Sequence, residues 1–155
     1  MRHSYCASLL QGLLGLARNI DLSQNGFTGT LPTELGNLRG SAVLSLFDNQ
    51  LSGPIPSELG LLDSNTEALD LIRPREYEGI RNVTKILLYD NELTGTVPSS
   101  LGMLGMLKAL EIYNNSGLSG TIPASLCGLG SLSEVGGIKL DCELNNCTCD
   151  ACSCM

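Results

Sequence analysis

The amino-acid sequence predicts an α/β fold: a right-handed, curved solenoid with short parallel strands on its concave face and helical or 3₁₀ turns on its convex face. Three observations lead to this prediction. A pattern of 19 residues recurs along the chain, charged residues make up only 16% of the 155 residues, and 18 residues are glycine. A coil that repeats an apolar strand and an uncharged, glycine-containing turn accounts for all three.

The pattern occurs four times, and each copy contains a Gly-x-x-Pro turn. The copies begin at Ile20, Leu44, Ile86 and Leu110, and the turn prolines are Pro32, Pro56, Pro98 and Pro123. These prolines are 24, 42 and 25 residues apart. We divide the spacing of 42 into one full repeat and one shortened repeat, to which residues 68–71 contribute a strand near Leu69. A further strand is expected near Ile138.

Alternating apolar residues in each copy define the core side of the strand. Residues two apart in a strand point to the same side, so pairs such as Ile20 with Leu22 and Leu44 with Leu46 are expected to be buried. The returning turn closes the coil with a second apolar set, Leu35, Leu38, Leu59 and Leu62. One coil cannot cover its own apolar surface, so the coils must stack to be stable.

An asparagine recurs where each strand turns away from the concave face: Asn25, Asn49, Asn91 and Asn115. An amide side chain both donates and accepts hydrogen bonds, so it can satisfy backbone groups that a turn leaves unpaired. These four residues are expected to form a structural ladder from coil to coil.

Each unit reads L-x-L-x-x-N-x-L-[ST]-G-x-[LIV]-P-x-x-L-G-x-L, with variations, over roughly residues 10–154. This pattern resembles the plant-type leucine-rich repeat of receptor-like ectodomains and secreted inhibitors of plants and algae. The resemblance implies an extracellular or cell-surface recognition module that binds a protein, a peptide or a cell-wall polysaccharide through its strand face. The alternative is a structural or matrix protein without a discrete ligand.

Two parts are predicted: leucine-rich repeats over residues 1–126 and a cysteine-rich C-terminal cap over residues 127–155. Residues 1–17 are interpreted as an incomplete first repeat, so an incomplete N-terminus is expected; a signal peptide is the alternative. Residues 68–84 are interpreted as a degenerate repeat, because Pro74 stands at the ladder position and a charged stretch replaces the turn. The alternative for this segment is a protruding loop that contacts a partner.

Seven cysteines are unevenly distributed, with Cys6 alone near the N-terminus. The disulfide candidates are Cys127, Cys142, Cys147, Cys149, Cys152 and Cys154. Six cysteines allow 15 pairings, among which sequence does not choose. Proteins of the resembled family are extracellular, and this favours disulfides. The alternative interpretation is a cluster of thiolates that binds zinc or copper.

Composition and motifs argue against several functions. A formal net charge of −7 repels nucleic acid, and no apolar run approaches the ~18 residues of a membrane-spanning helix. The single histidine, His3, lies near the chain terminus, and no phosphate-binding, metalloprotease, hydrolase or kinase motif occurs. We therefore expect no enzyme activity, catalytic residue, cofactor or resident metal.

Outward-facing residues of successive strands should align in columns on the concave face. One column contains Phe47, Ile72, Tyr89 and Tyr113, and the column beside it contains Asp48, Arg73 and Asp90. We interpret these seven residues as ligand-binding candidates, because exposed neighbouring aromatic residues commonly anchor recognition surfaces. The alternative is that the rings pack laterally and only stiffen the sheet.

Glycosylation sequons begin at Asn82, Asn114 and Asn146, and a glycan on Asn114 would lie at the edge of this face.

Overall fold

The computed structural model describes residues 19–38, 42–62, 83–134, 136–141, 147, 149–150 and 152–155. Their main feature is a six-stranded parallel sheet with the order β1-β3-β5-β7-β9-β10. Its strands are β1 (Asn19–Asp21), β3 (Val43–Ser45), β5 (Lys85–Leu87), β7 (Ala109–Glu111), β9 (Gly137–Leu140) and β10 (Cys152–Cys154). The register aligns equivalent core residues, pairing Ile20 with Leu44, Leu44 with Ile86, Ile86 with Leu110 and Leu110 with Ile138. The predicted solenoid of parallel strands is confirmed.

A second parallel sheet follows the first along each coil, and the sequence analysis did not anticipate it. Its strands are β2 (Thr28–Thr30), β4 (Gln50–Pro54), β6 (Glu92–Gly95) and β8 (Gly117–Leu118), in that order. They lie at or directly before the [ST]-G part of the repeat. Most of their side chains are exposed or half-buried, whereas Leu51, Leu93 and Leu118 point into the core.

Short helical turns close the coils opposite the strands. Three are 3₁₀ turns, Thr33–Asn37, Ser57–Leu61 and Ser99–Met103, and each directly follows a proline in extended conformation. Short α-helices, Ala124–Cys127 and Gly130–Glu134, complete the described turns. Each turn buries a leucine between the two walls of the solenoid; Leu35, Leu59, Leu101 and Leu126 are fully buried. These residues and the strand leucines form one continuous core.

Glycine allows the turns of successive coils to pack closely. A Cβ atom on Gly36 would lie 2.2 Å from the backbone oxygen of Glu58, and one on Gly60 would lie 2.4 Å from that of Ser100. Both distances are far below van der Waals contact, so any side chain would push the coils apart. At the equivalent position of the last full coil the residue is Cys127, whose sulfur bonds to Cys149 of the C-terminal segment.

The asparagine ladder joins the coils at the end of each strand. The Asn49 amide nitrogen donates to the backbone oxygens of Leu46 in its own coil and Leu22 in the preceding coil, and its Oδ1 accepts from the Phe27 backbone N–H. Asn91 and Asn115 make the equivalent bonds one and two coils further on. Asn25, in the first described coil, donates to the carbonyls of Leu22 and Ser23 in its own coil.

The structure corrects the interpretation of the 42-residue proline spacing. Strand β3 pairs directly with β5, so Leu44 is opposite Ile86 and no strand near Leu69 stands between them. The ladder crosses the same boundary, since the Asn91 amide donates to the Leu46 oxygen at 3.0 Å. Residues 63–82 lie outside the described residues; they connect two coils that pack directly on each other. One step of the sheet therefore takes 42 residues here, from Leu44 to Ile86, against 24 from Ile20 to Leu44.

Candidate functional site

Three aromatic rings form a continuous stack on the concave face, which we call the aromatic column: Phe47, Tyr89 and Tyr113. The ring centroids of Phe47 and Tyr89 are 4.5 Å apart with an interplanar angle of 8°, and those of Tyr89 and Tyr113 are 4.6 Å apart at 9°. These separations match the spacing of about 4.8 Å between neighbouring strands. The sheet therefore determines the stacking, because each ring belongs to the second residue after a strand of its own coil.

Stacking determines which part of each ring a ligand can reach. The inner faces are covered by neighbouring rings, and all three side chains are half-buried. What remains accessible is the row of ring edges, the two tyrosine hydroxyl groups and the outer face of Phe47 at the N-terminal end of the column. Ring edges carry partial positive charge and phenol groups donate and accept hydrogen bonds, so this row suits backbone carbonyls and carboxylates as well as apolar groups.

A second column, the turn column, runs beside the aromatic column: Gln24, Asp48, Asp90 and Asn114. All four adopt left-handed backbone angles, with φ between 53° and 55°. Asp and Asn tolerate this conformation better than most other residues, which is a structural reason for their recurrence there. The Asn114 amide donates to the Asp90 carboxylate at 2.6 Å, so these two coils are also linked through side chains.

Electrostatics distinguish the tyrosines from ordinary surface residues. Partial burial raises the pKa of Tyr89 and of Tyr113 above the usual value for a phenol, and the carboxylates of Glu111 and Asp90 raise both pKa values further. Both hydroxyls are therefore neutral over the physiological range. The surrounding charge is mainly acidic, and Lys139 is engaged with Glu111 at 2.9 Å.

The ends of the aromatic column are not equivalent. Toward the N-terminus, the repeat places Ser23 beside Phe47, and a serine is too small to cover the outer face of that ring. Toward the C-terminus, strand β9 pairs with β7 and leads directly into Asp141, whose carboxylate accepts from the Asn115 backbone N–H at 3.4 Å. Asp141 could not be predicted from the sequence, because the cap does not follow the repeat pattern and the register of its strands cannot be counted from that pattern.

Five of the seven predicted ligand-binding residues lie together on the concave face: Phe47, Asp48, Tyr89, Asp90 and Tyr113. The other two, Ile72 and Arg73, lie outside the described residues. They do not stand between Phe47 and Tyr89, because those two rings are in direct contact. This corrects their assignment to the columns, and the physical reason is the direct pairing of β3 with β5.

Some of the predicted glycosylation and cysteine residues lie within the described part of the chain, and the others lie outside it. Asn114 is exposed in the turn column, whereas Asn82 and Asn146 lie outside the described residues. Two disulfides, Cys127–Cys149 and Cys147–Cys152, are formed in the cap. Cys6 and Cys142 lie outside the described residues, and Cys154 is part of β10. Among the described residues, the side chains whose ligand atoms converge closely enough for a metal are Cys127, Cys147 and Cys149.

Comparisons with known proteins agree with this architecture. The family model described as Leucine Rich Repeat matches residues 17–38 and 42–62. The ectodomain of the Arabidopsis thaliana membrane receptor kinase GASSHO1/SCHENGEN3, solved in complex with CASPARIAN STRIP INTEGRITY FACTOR 2, is 32% identical with a TM-score of 0.64 and matches 84% of this chain. The BIR2 ectodomain from Arabidopsis thaliana is 31% identical with a TM-score of 0.55 over 76% of this chain. A search of curated proteins gives no match.

The chain is much shorter than these neighbours. It spans 13% of the GASSHO1/SCHENGEN3 chain and 53% of the BIR2 chain. A third neighbour, the Arabidopsis receptor kinase HAESA in complex with the peptide hormone IDA and the co-receptor SERK1, is 28% identical with a TM-score of 0.61. The match covers 79% of this chain and 18% of that one. No helix within the described residues has the length and apolar character needed to span a membrane.

Proposed function

Because this chain is a leucine-rich repeat protein of the plant type, we propose that it is an extracellular or cell-surface recognition module that binds a peptide or a protein segment along its concave strand face. The observation that carries the proposal is the aromatic column, with its ordered row of ring edges and hydroxyl groups beside acidic side chains. Receptor-like binding, rather than catalysis, is the role this surface supports.

The geometry suits an extended ligand that crosses the coils. Each step along the aromatic column advances by one coil, and the ring-to-ring distances are 4.5 Å and 4.6 Å. An extended peptide rises about 3.3 Å per residue, so a ligand of a few residues would span all three rings. The solved neighbours support a peptide or protein ligand, since GASSHO1/SCHENGEN3 and HAESA were crystallised with such partners.

The charge around the column favours a ligand with basic residues. Asp48 and Asp90 flank the rings on one side, and Glu111 approaches from the other; its partner Lys139 offsets part of that charge. Exposed charges of this kind contribute mainly to specificity and to the association rate, and salt screens them. A cell-wall polysaccharide is a weaker candidate, because sugar rings pack against the faces of aromatic rings and the inner faces here are occupied.

The experiment must separate binding from structural support, because the rings contribute to both. Tyr89 has a stacked neighbour on each side, so Tyr89→Ala is expected to lower stability by about 1–3 kcal/mol as well as to weaken binding. We therefore rely on substitutions that keep the stack. Tyr113→Phe retains the ring and removes one hydroxyl group, and Asp90→Asn retains the shape and removes one charge.

Binding should be measured by calorimetry against synthetic peptides of equal length that are basic, neutral or acidic. We expect the basic peptides to bind most tightly, and both variants to raise Kd about 3- to 30-fold, equivalent to about 0.7–2 kcal/mol. Met103→Ala, on an exposed turn opposite the strands, is the matched control and should leave Kd unchanged. Equal Kd values for wild type and both column variants would show that the rings only support the fold.

Self-association distinguishes the structural alternative. A matrix protein without a discrete ligand should assemble as its concentration rises, whereas a recognition module should keep its mass until its ligand is added. Sedimentation velocity over a wide concentration range, with and without the basic peptide, tests this directly. Concentration-dependent assembly that Tyr113→Phe abolishes would assign the aromatic column to self-association.

A further inference from the structure

Two disulfides in the C-terminal cap lie side by side, and their four cysteines come from two separate parts of the chain. Cys127 ends the helix of the last full coil, and Cys147, Cys149 and Cys152 belong to the C-terminal segment. The two disulfides they form are in contact: Cys147 Sγ lies 3.3 Å from Cys149 Sγ, and Cys149 Sγ lies 3.7 Å from Cys152 Sγ. The Sγ atoms of Cys127, Cys147 and Cys149 all lie within 4.8 Å of one another.

We propose that this cluster, when reduced, binds one Zn²⁺ ion as a tetrathiolate site. Four thiolates around Zn²⁺ with bonds of about 2.3 Å form a tetrahedron whose sulfurs are about 3.8 Å apart. The two non-bonded sulfur contacts of 3.3 Å and 3.7 Å are close to this edge length. Conversion to the metal-bound form requires the two bonded sulfur pairs to separate to this distance, and the Cys152 sulfur, which lies outside the group of three sulfurs within 4.8 Å of one another, to move closer to the other three.

The ligand set differs from the one that spacing alone selects. The run C-x-C-x-x-C-x-C favours a local site of Cys147, Cys149, Cys152 and Cys154. Among the side chains that the structure describes, the fourth sulfur beside Cys147, Cys149 and Cys152 is that of Cys127, which pairs with Cys149. Its position is the one that glycine occupies in the preceding coils, where the turn of the next coil leaves no space for a side chain. At the last full coil the space above the turn is filled by the C-terminal segment.

The surroundings of the cluster suit a structural metal site. Cys127, Cys147 and Cys152 are half-buried and pack against the hydrophobic core. Closed sites of four cysteines with restricted access to water are the usual structural sites for Zn²⁺, and soft thiolate ligands exclude Mg²⁺ and Ca²⁺. Whether bridged by disulfides or by zinc, Cys127 fastens the cap to the solenoid, so both forms protect the same apolar end of the core.

The two forms interconvert by a balanced reaction. Two molecules of a dithiol reductant transfer four electrons and four protons, both S–S bonds break, and four thiols form while the reductant becomes two disulfides. Zn²⁺ then forms four Zn–S bonds and displaces the four thiol protons to the solvent. A disulfide oxidant reverses the sequence, re-forms the two S–S bonds and releases the ion. The cap is thus predicted to hold metal in a reducing compartment and disulfides in an oxidising one.

Cobalt substitution provides the first test on the full-length chain. The protein is reduced with a phosphine under nitrogen and titrated with Co²⁺, whose visible spectrum distinguishes tetrahedral thiolate coordination from the hydrated ion. We expect one equivalent of Co²⁺ to bind, one equivalent of Zn²⁺ to displace it, and the unreduced protein to bind neither. Cys127→Ser should lose the tetrathiolate spectrum and weaken Zn²⁺ binding at least 10-fold, and Cys154→Ser should retain both. Absence of a tetrathiolate spectrum in the reduced wild type would overturn the proposal.

Alkylation of the wild-type protein gives a test that does not depend on the folding of a variant. The reduced chain is treated with N-ethylmaleimide with and without Zn²⁺, and the labelled positions are identified by mass spectrometry. Zinc should protect Cys127, Cys147, Cys149 and Cys152, while Cys6, Cys142 and Cys154 react at unchanged rates. Protection of Cys154 in place of Cys127 would show that the metal is held by the local run and that the assigned ligand set is wrong.

Discussion

Replacing Asn115 by alanine tests how strongly the ladder holds the coils together. The side chain is fully buried, and its amide nitrogen donates to the backbone oxygens of Leu88 and Ile112, each at 3.0 Å, and of Tyr113 at 3.2 Å. Its Oδ1 accepts from the Leu93 backbone N–H at 3.0 Å. Leu88 and Leu93 belong to the preceding coil, so one side chain joins two coils through both its donor and its acceptor.

The expected loss follows from the backbone groups that the substitution leaves unpaired. A buried donor or acceptor without a partner costs about 1–3 kcal/mol. Asn115→Ala removes the acceptor of the Leu93 N–H. It also removes the donor that the Leu88 and Ile112 carbonyls share. We expect a decrease of about 3 kcal/mol in the free energy of unfolding, or roughly 6–12 °C in Tm for a chain of this size.

Two asparagines in other positions serve as matched controls. Asn25 is exposed and, within the described residues, donates to carbonyls of its own coil, so water can replace its amide, and Asn25→Ala should cost less than about 1 kcal/mol. Asn37 is exposed at the end of a 3₁₀ turn and outside the ladder, so Asn37→Ala should change stability by less than about 0.5 kcal/mol.

Urea unfolding followed by tyrosine fluorescence and circular dichroism measures all three variants, since the chain has no tryptophan. The urea midpoint should fall for Asn115→Ala with an unchanged m-value. An unchanged m-value shows that the same amount of surface is exposed on unfolding. Similar losses for the three variants would refute the reasoning. A larger loss for Asn25 than for Asn115 would show that bonds within one coil matter more than bonds between coils.

Three further outcomes are expected. Gly60→Ala should lower stability by more than about 1 kcal/mol in thermal unfolding, because its Cβ would lie 2.4 Å from a backbone oxygen of the next coil; at Gly105, where no atom lies within 4 Å, the same change should cost little. Because the folded pKa values of Tyr89 and Tyr113 are raised, their contribution to stability is complete below about pH 10 and is lost as the pH rises through the folded values; urea midpoints measured from pH 8 to pH 11 should fall less steeply in the double Phe variant. Cys127→Ser should lower stability by about 3 kcal/mol under non-reducing conditions, since its disulfide closes a loop across a sequence separation of 22, and the difference should disappear in reductant with a chelator.

The spacing of the repeats predicted most of the strands and turns, because each coil has the same sequence pattern. Once Ile20 and Leu44 are identified as equivalent, their parallel pairing and the burial of the turn leucines follow. The second sheet was missed because its strands have two to five residues and include glycine, which gives no alternating apolar signal. Strand β10 was missed because cysteines in the cap do not reveal a strand register.

The error at residues 68–71 has a different cause. The alternation of apolar and polar residues in this segment is typical of a strand. Strand pairing in this solenoid also depends on the ladder asparagine and the Gly-x-x-Pro turn, and the segment has neither. The shared column of Phe47, Tyr89 and Tyr113 could be predicted from their equivalent positions in the repeat, but the direct contact of Phe47 with Tyr89 could not, because Ile72 was expected between them. The mutual stacking of the rings, and hence which part of each ring is accessible, depends on side-chain geometry that spacing does not determine.

The direct contact between β3 and β5 explains why an insertion of this length is tolerated. In a stack where each coil touches only its neighbours, extra residues between two coils alter the loop entropy and leave every interface unchanged. Increasing the separation of paired strand residues from 24 (Ile20 to Leu44) to 42 (Leu44 to Ile86) costs about 0.5 kcal/mol by loop-closure entropy, which is less than the burial of one leucine contributes. This boundary is therefore a natural site for grafting: a foreign peptide placed between Leu62 and Val83 should be displayed without loss of the solenoid, and evolution could lengthen or exchange this segment independently of the binding face.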